Sequence, residues 1–224
     1  MFNAVLNALF PRECLVCNQP FTFENQNIIC KDCINQSKNE VLYYCRSCGK
    51  SDEYPICESC KVERKYEDIQ VFTYYYHIQE TVKQLKLSKI KTLAKELGIL
   101  IKEDIQDYIR KNKIQNVIYV PISKNVQKER GFNHLKEILK YAVPSFLVKD
   151  YLIKHRETAF QMQLNKEDRF KNLKNAFSLT IDKIKGNTLV FDDVLTTGAT
   201  LLEIYNTIKD KTDGKIYAYV IAKG

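Results

Sequence analysis

Eight cysteines limit what this chain can fold into more than any other feature. They are Cys14, Cys17, Cys30, Cys33, Cys45, Cys48, Cys57 and Cys60, and every one belongs to a Cys-x-x-Cys pair. Twelve, eleven and eight residues separate successive pairs. Two residues between thiolates let one tight turn present both sulfurs to one metal, and a second such turn brought back by a hairpin completes a tetrahedron. Four pairs supply ligands for two zinc ions. A disulfide framework is disfavoured by the uniform spacing within pairs and by an apolar residue 1–10 segment that has no basic flank and no small-residue cleavage site. That segment reads as a helical turn or two stopped by Pro11 rather than as a signal peptide. A thioredoxin-like redox pair needs one Cys-x-x-Cys, not four in tandem. Iron–sulfur chemistry shares the thiolate preference and stays open as the second reading. Sequential pairing suits two stacked ribbons, although spacing alone leaves crossed pairing open. A segment of this length with few large apolar side chains depends on its metal for folding free energy.

Past Cys60 the texture changes. Of the 224 residues, those from 67 onward hold the whole basic excess behind the net charge of +8. Residues 124–174 carry twelve basic and six acidic side chains. A localised positive field favours polyanions: nucleic acid, phosphorylated metabolites or pyrophosphate. No uncharged apolar stretch approaches the roughly 18 residues of a membrane helix, so no span is expected.

Hydrophobic periodicity predicts strands at 71–76, 117–120, about 150–153, 176–179, 188–191 and 215–222. Helices are predicted at 79–87, 91–111, 132–141 and 199–210, with a polar, basic stretch at 154–174. Strands alternating with helices imply an α/β fold with a parallel sheet and helices on both faces. The expected domains are 1–65, built from four-cysteine zinc ribbons, and 66–224.

Ligands of a parallel sheet bind beyond the carboxyl ends of its strands. The predicted strand at 188–191 runs into Asp192, Asp193, Val194, Leu195, Thr196, Thr197, Gly198, Ala199 and Thr200, then a helix. Adjacent acids at a strand end are stranded unless they meet a cation or hydroxyls. The Thr-Thr-Gly-Ala-Thr turn is small, hydroxyl-rich and opens a helix, so its free N–H groups and the helix dipole converge on one spot. Together these suit one ligand, with a phosphate in the turn and a sugar diol against the acids.

Thr188–Thr200 resembles the thirteen-residue phosphoribosyl pyrophosphate (PRPP) motif of type I phosphoribosyltransferases. More narrowly, the chain is similar to the ComF family, a competence-associated phosphoribosyltransferase-like group. The narrower match rests on Val120-Pro-Ile-Ser with Lys128-Glu-Arg-Gly-Phe-Asn133, on residues 154–161 with Leu164, Arg169, Asn172, Ala176 and Phe177, and on the four cysteine pairs. Members commonly carry Gln after Arg-Gly-Phe-Asn; this chain has His134.

The resemblance implies a type I phosphoribosyltransferase-like sheet that binds PRPP with Mg²⁺. It implies Asp192 and Asp193 as the catalytic pair at the ribose, and Leu195–Thr200 as the 5′-phosphate loop. A pyrophosphate loop spanning Ser123–Gly131 would carry Lys124, Lys128, Arg130 and Gly131. A mobile loop would bring Lys154, Arg156, Gln161 and Arg169 over the ligand, with His155 a candidate acid or base; His77 and His134 are read as structural. The implied activity is a Mg²⁺-dependent pentosyltransferase of unknown acceptor, acting in the cytoplasm in natural transformation alongside DNA-uptake proteins. The alternative is a non-catalytic module that binds single-stranded DNA or senses PRPP or a nucleotide. A transcriptional regulator is disfavoured because no helix-turn-helix signal is found.

Overall fold

A computed structural model of the chain describes residues 13–14, 16–20, 29–30, 32–33, 35–36, 43–87, 91–155 and 173–224. The expectations for residues 1–10 and for Arg156, Gln161 and Arg169 lie outside the described residues.

Five parallel strands form the central sheet, in the order β1-β7-β6-β2-β3. They are β1 (Asp68–Tyr74), β2 (Asn116–Tyr119), β3 (Val148–Lys149), β6 (Thr188–Leu195) and β7 (Ile216–Lys223). β7 lies between two neighbours and is buried along its whole length, as the continuous Ile-Tyr-Ala-Tyr-Val-Ile-Ala run of a strand covered on both faces requires. Side chains alternate across the sheet. Leu189, Phe191, Tyr219 and Ile221 face one core, packed with α2 (Tyr75–Leu87), α3 (Lys91–Lys111) and α5 (His134–Ala142). Val190, Ala218 and Val220 face the other core, packed with α6 (Ala199–Ile208) and the side chains of Tyr44 and Tyr66. Helices thus cover both faces, as the alternating pattern predicts, and the short α1 (Glu58–Val62), which carries Cys60, precedes β1. In α3, Leu97, Ile101 and Ile105 are fully buried. Each contributes about 1.5–3 kcal/mol over an exposed position, so packing rather than intrinsic propensity holds this helix. No helix among the described residues is long and apolar enough to cross a membrane.

Several boundaries differ from the sequence reading, for identifiable reasons. β1 ends at Tyr74 because its partner ends there, Tyr74 pairing with Lys223; Tyr75 and Tyr76 turn into α2 despite their strand preference. β6 continues four residues beyond Phe191, since β7 pairs with it as far as Leu195, so the acid pair lies within the strand. Residues 124–130, expected as a loop, form the helix α4 (Lys124–Arg130). The Ser123 hydroxyl caps it, accepting from the Val126 amide at 3.4 Å, and Gly131 ends it at φ 82°. A two-stranded antiparallel ribbon of β4 (Leu152–Lys154) and β5 (Phe177–Leu179) stands apart from the main sheet. Nothing in the hydrophobic pattern distinguishes such short strands from those of the parallel sheet.

Candidate functional site

The cysteines come together in two groups of four, Cys14/Cys17/Cys30/Cys33 and Cys45/Cys48/Cys57/Cys60, with the sulfurs of each group within 4.8 Å of one another. Pairing is therefore sequential. Cys17 and Cys30 Sγ lie 3.8 Å apart, as do Cys48 and Cys57 Sγ. A tetrahedron with Zn–S of about 2.3 Å has edges of about 3.8 Å, so the donor set and its spacing fit zinc. Backbone amides point at the sulfurs: Cys30 N–H donates to Cys14 Sγ and Cys57 N–H to Cys45 Sγ, each at 3.3 Å. The Ser59 hydroxyl foremost pulls the Cys57 thiol down to about 6. At Cys14 burial pushes the thiol up, but amide donors outweigh it and bring it to about 7. Both sites have the character of structural zinc ribbons.

The second site is built into the sheet domain. Ser47, between Cys45 and Cys48, accepts the Tyr66 amide through its carbonyl at 3.0 Å. Its hydroxyl accepts the Lys65 amide at 2.8 Å. The Tyr44 hydroxyl donates to the Ile69 carbonyl at 2.9 Å, and the buried Tyr66 hydroxyl to the Leu201 carbonyl of α6 at 2.7 Å. The turn after Cys48 meets the Leu195–Gly198 turn backbone to backbone. Gly198 has φ 77° as the N-cap of α6, and a Cβ placed on it would stand 2.5 Å from the Cys48 carbonyl oxygen. A Cβ on Gly49, at φ 76°, would stand 2.7 Å from Leu195 Cδ1. Two glycines in the left-handed region let the zinc knuckle and the turn interlock.

The turn itself has the form an anion requires. Thr196 is exposed and Thr197 half-buried. The Thr197 hydroxyl accepts the Ala199 amide at 3.4 Å. Gly198, the N-cap of α6, brings no capping side chain, so apart from the Ala199 amide held by Thr197 the first turn of this ten-residue helix leaves amides for an anion.

Asp192 and Asp193 are both buried. As neighbours in a strand they point to opposite faces. Asp193 shares the face of α2 and α5, where its Oδ2 accepts from Lys86 Nζ at 2.6 Å and from His134 Nε2 at 2.8 Å. Burial pushes the Asp193 carboxyl up, but Lys86 and His134 outweigh it and hold it well below the usual range. Asp192 lies on the face of α6 and Tyr66, and its Oδ1 accepts the Asp193 amide at 2.9 Å. Burial and the neighbouring Asp193 charge push its carboxyl up to about 7, against the pull of Lys86 and Lys154. The pair is differentiated: one carboxylate fixed and paired, the other near neutrality.

Among the candidates after β2, Lys124 and Lys128 are exposed on α4 and Gly131 on its cap, and Arg130 is half-buried. Burial pulls the Arg130 guanidinium down while Asp193 raises it. Lys154, on β4, lies near enough to Asp192 to act on its carboxyl and places its ammonium over the Phe177 ring. His155 meets the Ser178 hydroxyl at 2.5 Å across the β4–β5 ribbon. His77 is buried against the Tyr76 ring, centroids 3.9 Å apart. Sequence reasoning missed Lys86 and the partner of His134. The signal for Lys86 was its spacing: Ile78, Val82 and Leu85 form the apolar stripe of α2, and Lys86 falls four residues after Val82, inside it.

With this geometry in place, comparison with known proteins is informative. Residues 5–61 match the double zinc ribbon domain family. The chain is 26% identical over 212 residues to competence protein F of Haemophilus influenzae, covering 88% of this chain and 91% of that protein. It is 28% identical over 204 residues to the DNA utilization protein YhgH of Salmonella typhimurium, covering 87% and 89%. It is also 23% identical over 213 residues to competence protein ComFC of Streptococcus pneumoniae, covering 88% and 94%. Over nearly nine-tenths of its length the chain is thus similar to ComF family proteins, and its residues 5–61 carry the double zinc ribbon. The Arg-Gly-Phe-Asn stretch that carries the ComF resemblance now has a physical reading. Gly131 ends α4, Phe132 enters the core, and Asn133 caps α5 by accepting the Leu135 amide at 2.8 Å. The Asn133 amide group also donates to the Val120 carbonyl at 3.2 Å, which ties the cap to the end of β2.

Proposed function

We propose that this ComF-like chain binds PRPP with Mg²⁺ at the carboxyl edge of its sheet and acts in the handling of incoming DNA. The observation that carries the reading is the convergence on one edge of an anion-ready helix N-terminus at Gly198–Thr200, a buried acid pair in the adjoining strand, and a basic helix after the neighbouring strand. A phosphoribosyl ligand needs each of these. Its 5′-phosphate suits the Thr196–Thr200 turn, where helix amides and threonine hydroxyls supply donors. Its ribose hydroxyls suit Asp192, whose carboxyl accepts or donates near neutral pH. Its pyrophosphate suits the cations of α4, Lys124, Lys128 and Arg130.

The reaction supported is displacement at ribose C1. The C1–O bond to pyrophosphate breaks, an acceptor nucleophile forms the new bond, and pyrophosphate leaves with the electron pair. The nearby carboxylates favour the positive character that develops at the ring, and the basic side chains favour the departing anion. Mg²⁺ held with the ligand beside the Asp192 carboxyl would supply further charge neutralisation for the departing pyrophosphate. The role in DNA uptake rests on the names of the relatives, two of them competence proteins and one a DNA utilization protein.

A second reading has a specific observation in its favour. The exposed lysines of α4 form a surface that suits the backbone of single-stranded DNA as well as pyrophosphate. Calorimetric titration of PRPP and Mg²⁺ into the purified chain, repeated with single-stranded DNA present, separates the two. PRPP binding lost in Asp192→Asn supports the phosphoribosyl site. No PRPP binding, with salt-sensitive DNA binding intact, would discard it in favour of a DNA-binding scaffold.

A further inference from the structure

Asp193 Oδ2 receives two donors, Lys86 Nζ and His134 Nε2. The other ring nitrogen of His134, Nδ1, lies 3.5 Å from Arg130 Nη1. A guanidinium can only donate hydrogen bonds. His134 Nδ1 therefore accepts, the ring proton resides on Nε2, and Nε2–H donates to Asp193. Burial lowers the tendency of the ring to take a second proton, against the pull of Asp193. The His134 side chain is 6% exposed and the Asp193 side chain 9%. A neutral imidazole in one fixed tautomer thus bridges a cation and an anion that do not touch each other.

The backbone fixes the same relation. Arg130 is the last residue of α4 and His134 the first of α5. Between them, Gly131 makes the left-handed turn, Phe132 is buried, and Asn133 is tied to the Val120 carbonyl at the end of β2. The basic helix is therefore anchored twice, through the Asn133 side chain to the end of β2, the neighbour of the acid-bearing strand, and through a single ring to Asp193 itself.

We propose that His134 is a positioning residue that couples Arg130 to Asp193, holding the cation of the basic helix in register with the acid pair. Its use to the protein rests on the PRPP reading. A ligand engaging Arg130 through one end and the acid pair through its ribose needs both groups held at a fixed separation, and a preorganised separation costs less on binding. His134 contacts no ligand in this account; it sets the geometry of two residues that do.

The test uses the full zinc-loaded chain. Ring ¹⁵N spectra should show His134 protonated at Nε2, with Nδ1 as an acceptor whose resonance moves in Arg130→Met. An Nδ1–H tautomer, or a ring spectrum indifferent to Arg130→Met, would overturn the proposal whether or not any ligand binds. The variants His134→Leu and His134→Gln extend it. Leucine fills similar volume but neither donates nor accepts, whereas glutamine offers an N–H to Asp193 and an oxygen to Arg130. PRPP affinity should fall about tenfold in His134→Leu, the scale of one lost hydrogen bond to a charged group, and return to within about twofold of the parent in His134→Gln. An equal loss in both variants, with both still folded, would reduce His134 to core filling. If the parent chain binds no PRPP, the functional reading fails alone and the ring spectra still decide the coupling.

Discussion

The carbonyl oxygen of Cys48 occupies the space that a side chain on Gly198 would need, 2.5 Å from where its Cβ would stand. One residue belongs to a four-cysteine group and the other is the N-cap of α6. The second zinc ribbon is therefore the rear wall of the turn proposed to hold a phosphate, and its integrity bears on the shape of that turn.

Gly198→Ala tests this contact directly. The left-handed backbone alone costs a non-glycine residue about 1–2 kcal/mol, and relief of the clash must move either the turn or the knuckle. We expect a lower Tm together with weaker binding of the phosphate ligand. Gly131→Ala is the control: its φ is also positive, at 82°, but a Cβ there meets nothing within 4 Å. Its Tm should fall by the backbone cost only. Equal effects of the two substitutions on Tm would show that the ribbon does not press on the turn.

Metal content should be close to two zinc ions per chain by mass spectrometry. Cys17→Ser and Cys48→Ser should each lower it by about one, since the two four-sulfur groups share no ligand. The two variants should then diverge. Cys48→Ser should weaken the phosphate ligand as Gly198→Ala does, because Cys48 backs the turn, while Cys17→Ser should affect it less. Iron with visible absorbance, or equal loss of binding in both variants, would contradict this arrangement.

Stability should depend on pH through the acid pair, with opposite signs for its members. The Asp192 carboxyl, pushed up to about 7 by burial and by Asp193, keeps its proton in the folded chain where the unfolded chain, near 3.9, has lost it. Between about pH 4 and 7 the folded state binds more protons, so this residue makes stability fall as pH rises through that window. Asp193 is depressed despite its burial by Lys86 and His134; its contribution is present above about pH 4 and lost as pH falls through its folded value. Asp192→Asn should flatten the decline between about pH 4.5 and 7 in chemical denaturation. Superimposable profiles of the variant and parent would show that Asp192 is ionised throughout that range.

Much of this could be read from residue pattern, and the gaps have a common cause. Uniform Cys-x-x-Cys spacing gave the zinc sites because local turns place both sulfurs of a pair. The parallel sheet followed from strands alternating with helices, such as 188–191, 199–210 and 215–222. What the chain did not display was anything that depends on two distant segments meeting. The seating of Cys48 on Gly198 spans 150 positions of sequence. The placement of Asp192 and Asp193 inside β6 was hidden because the strand's end is set by its partner β7. Lys86 and His134 looked like an ordinary helix lysine and a core histidine until the fold brought both to one carboxylate oxygen.

The division of labour along the carboxyl edge leads to a last prediction. The cations of α4 are assigned to pyrophosphate, whereas the Thr196–Thr200 turn is assigned to a 5′-phosphate that PRPP and AMP share. Lys128 is exposed and Arg130 half-buried, so replacing both with alanine disturbs little packing, although the Arg130–His134 contact is lost with it. The double variant should lose about tenfold or more in PRPP affinity, two charge-assisted contacts at about 1.5–3 kcal/mol each being an upper bound. AMP affinity, measured by the same calorimetry, should change much less. Lys128→Ala alone, which leaves the Arg130–His134 contact in place, should show the same selectivity in smaller measure. A parallel drop for both ligands in the single variant would mean that α4 supplies a general positive field rather than a pyrophosphate site, and an unchanged PRPP affinity in the double variant would remove α4 from the ligand altogether.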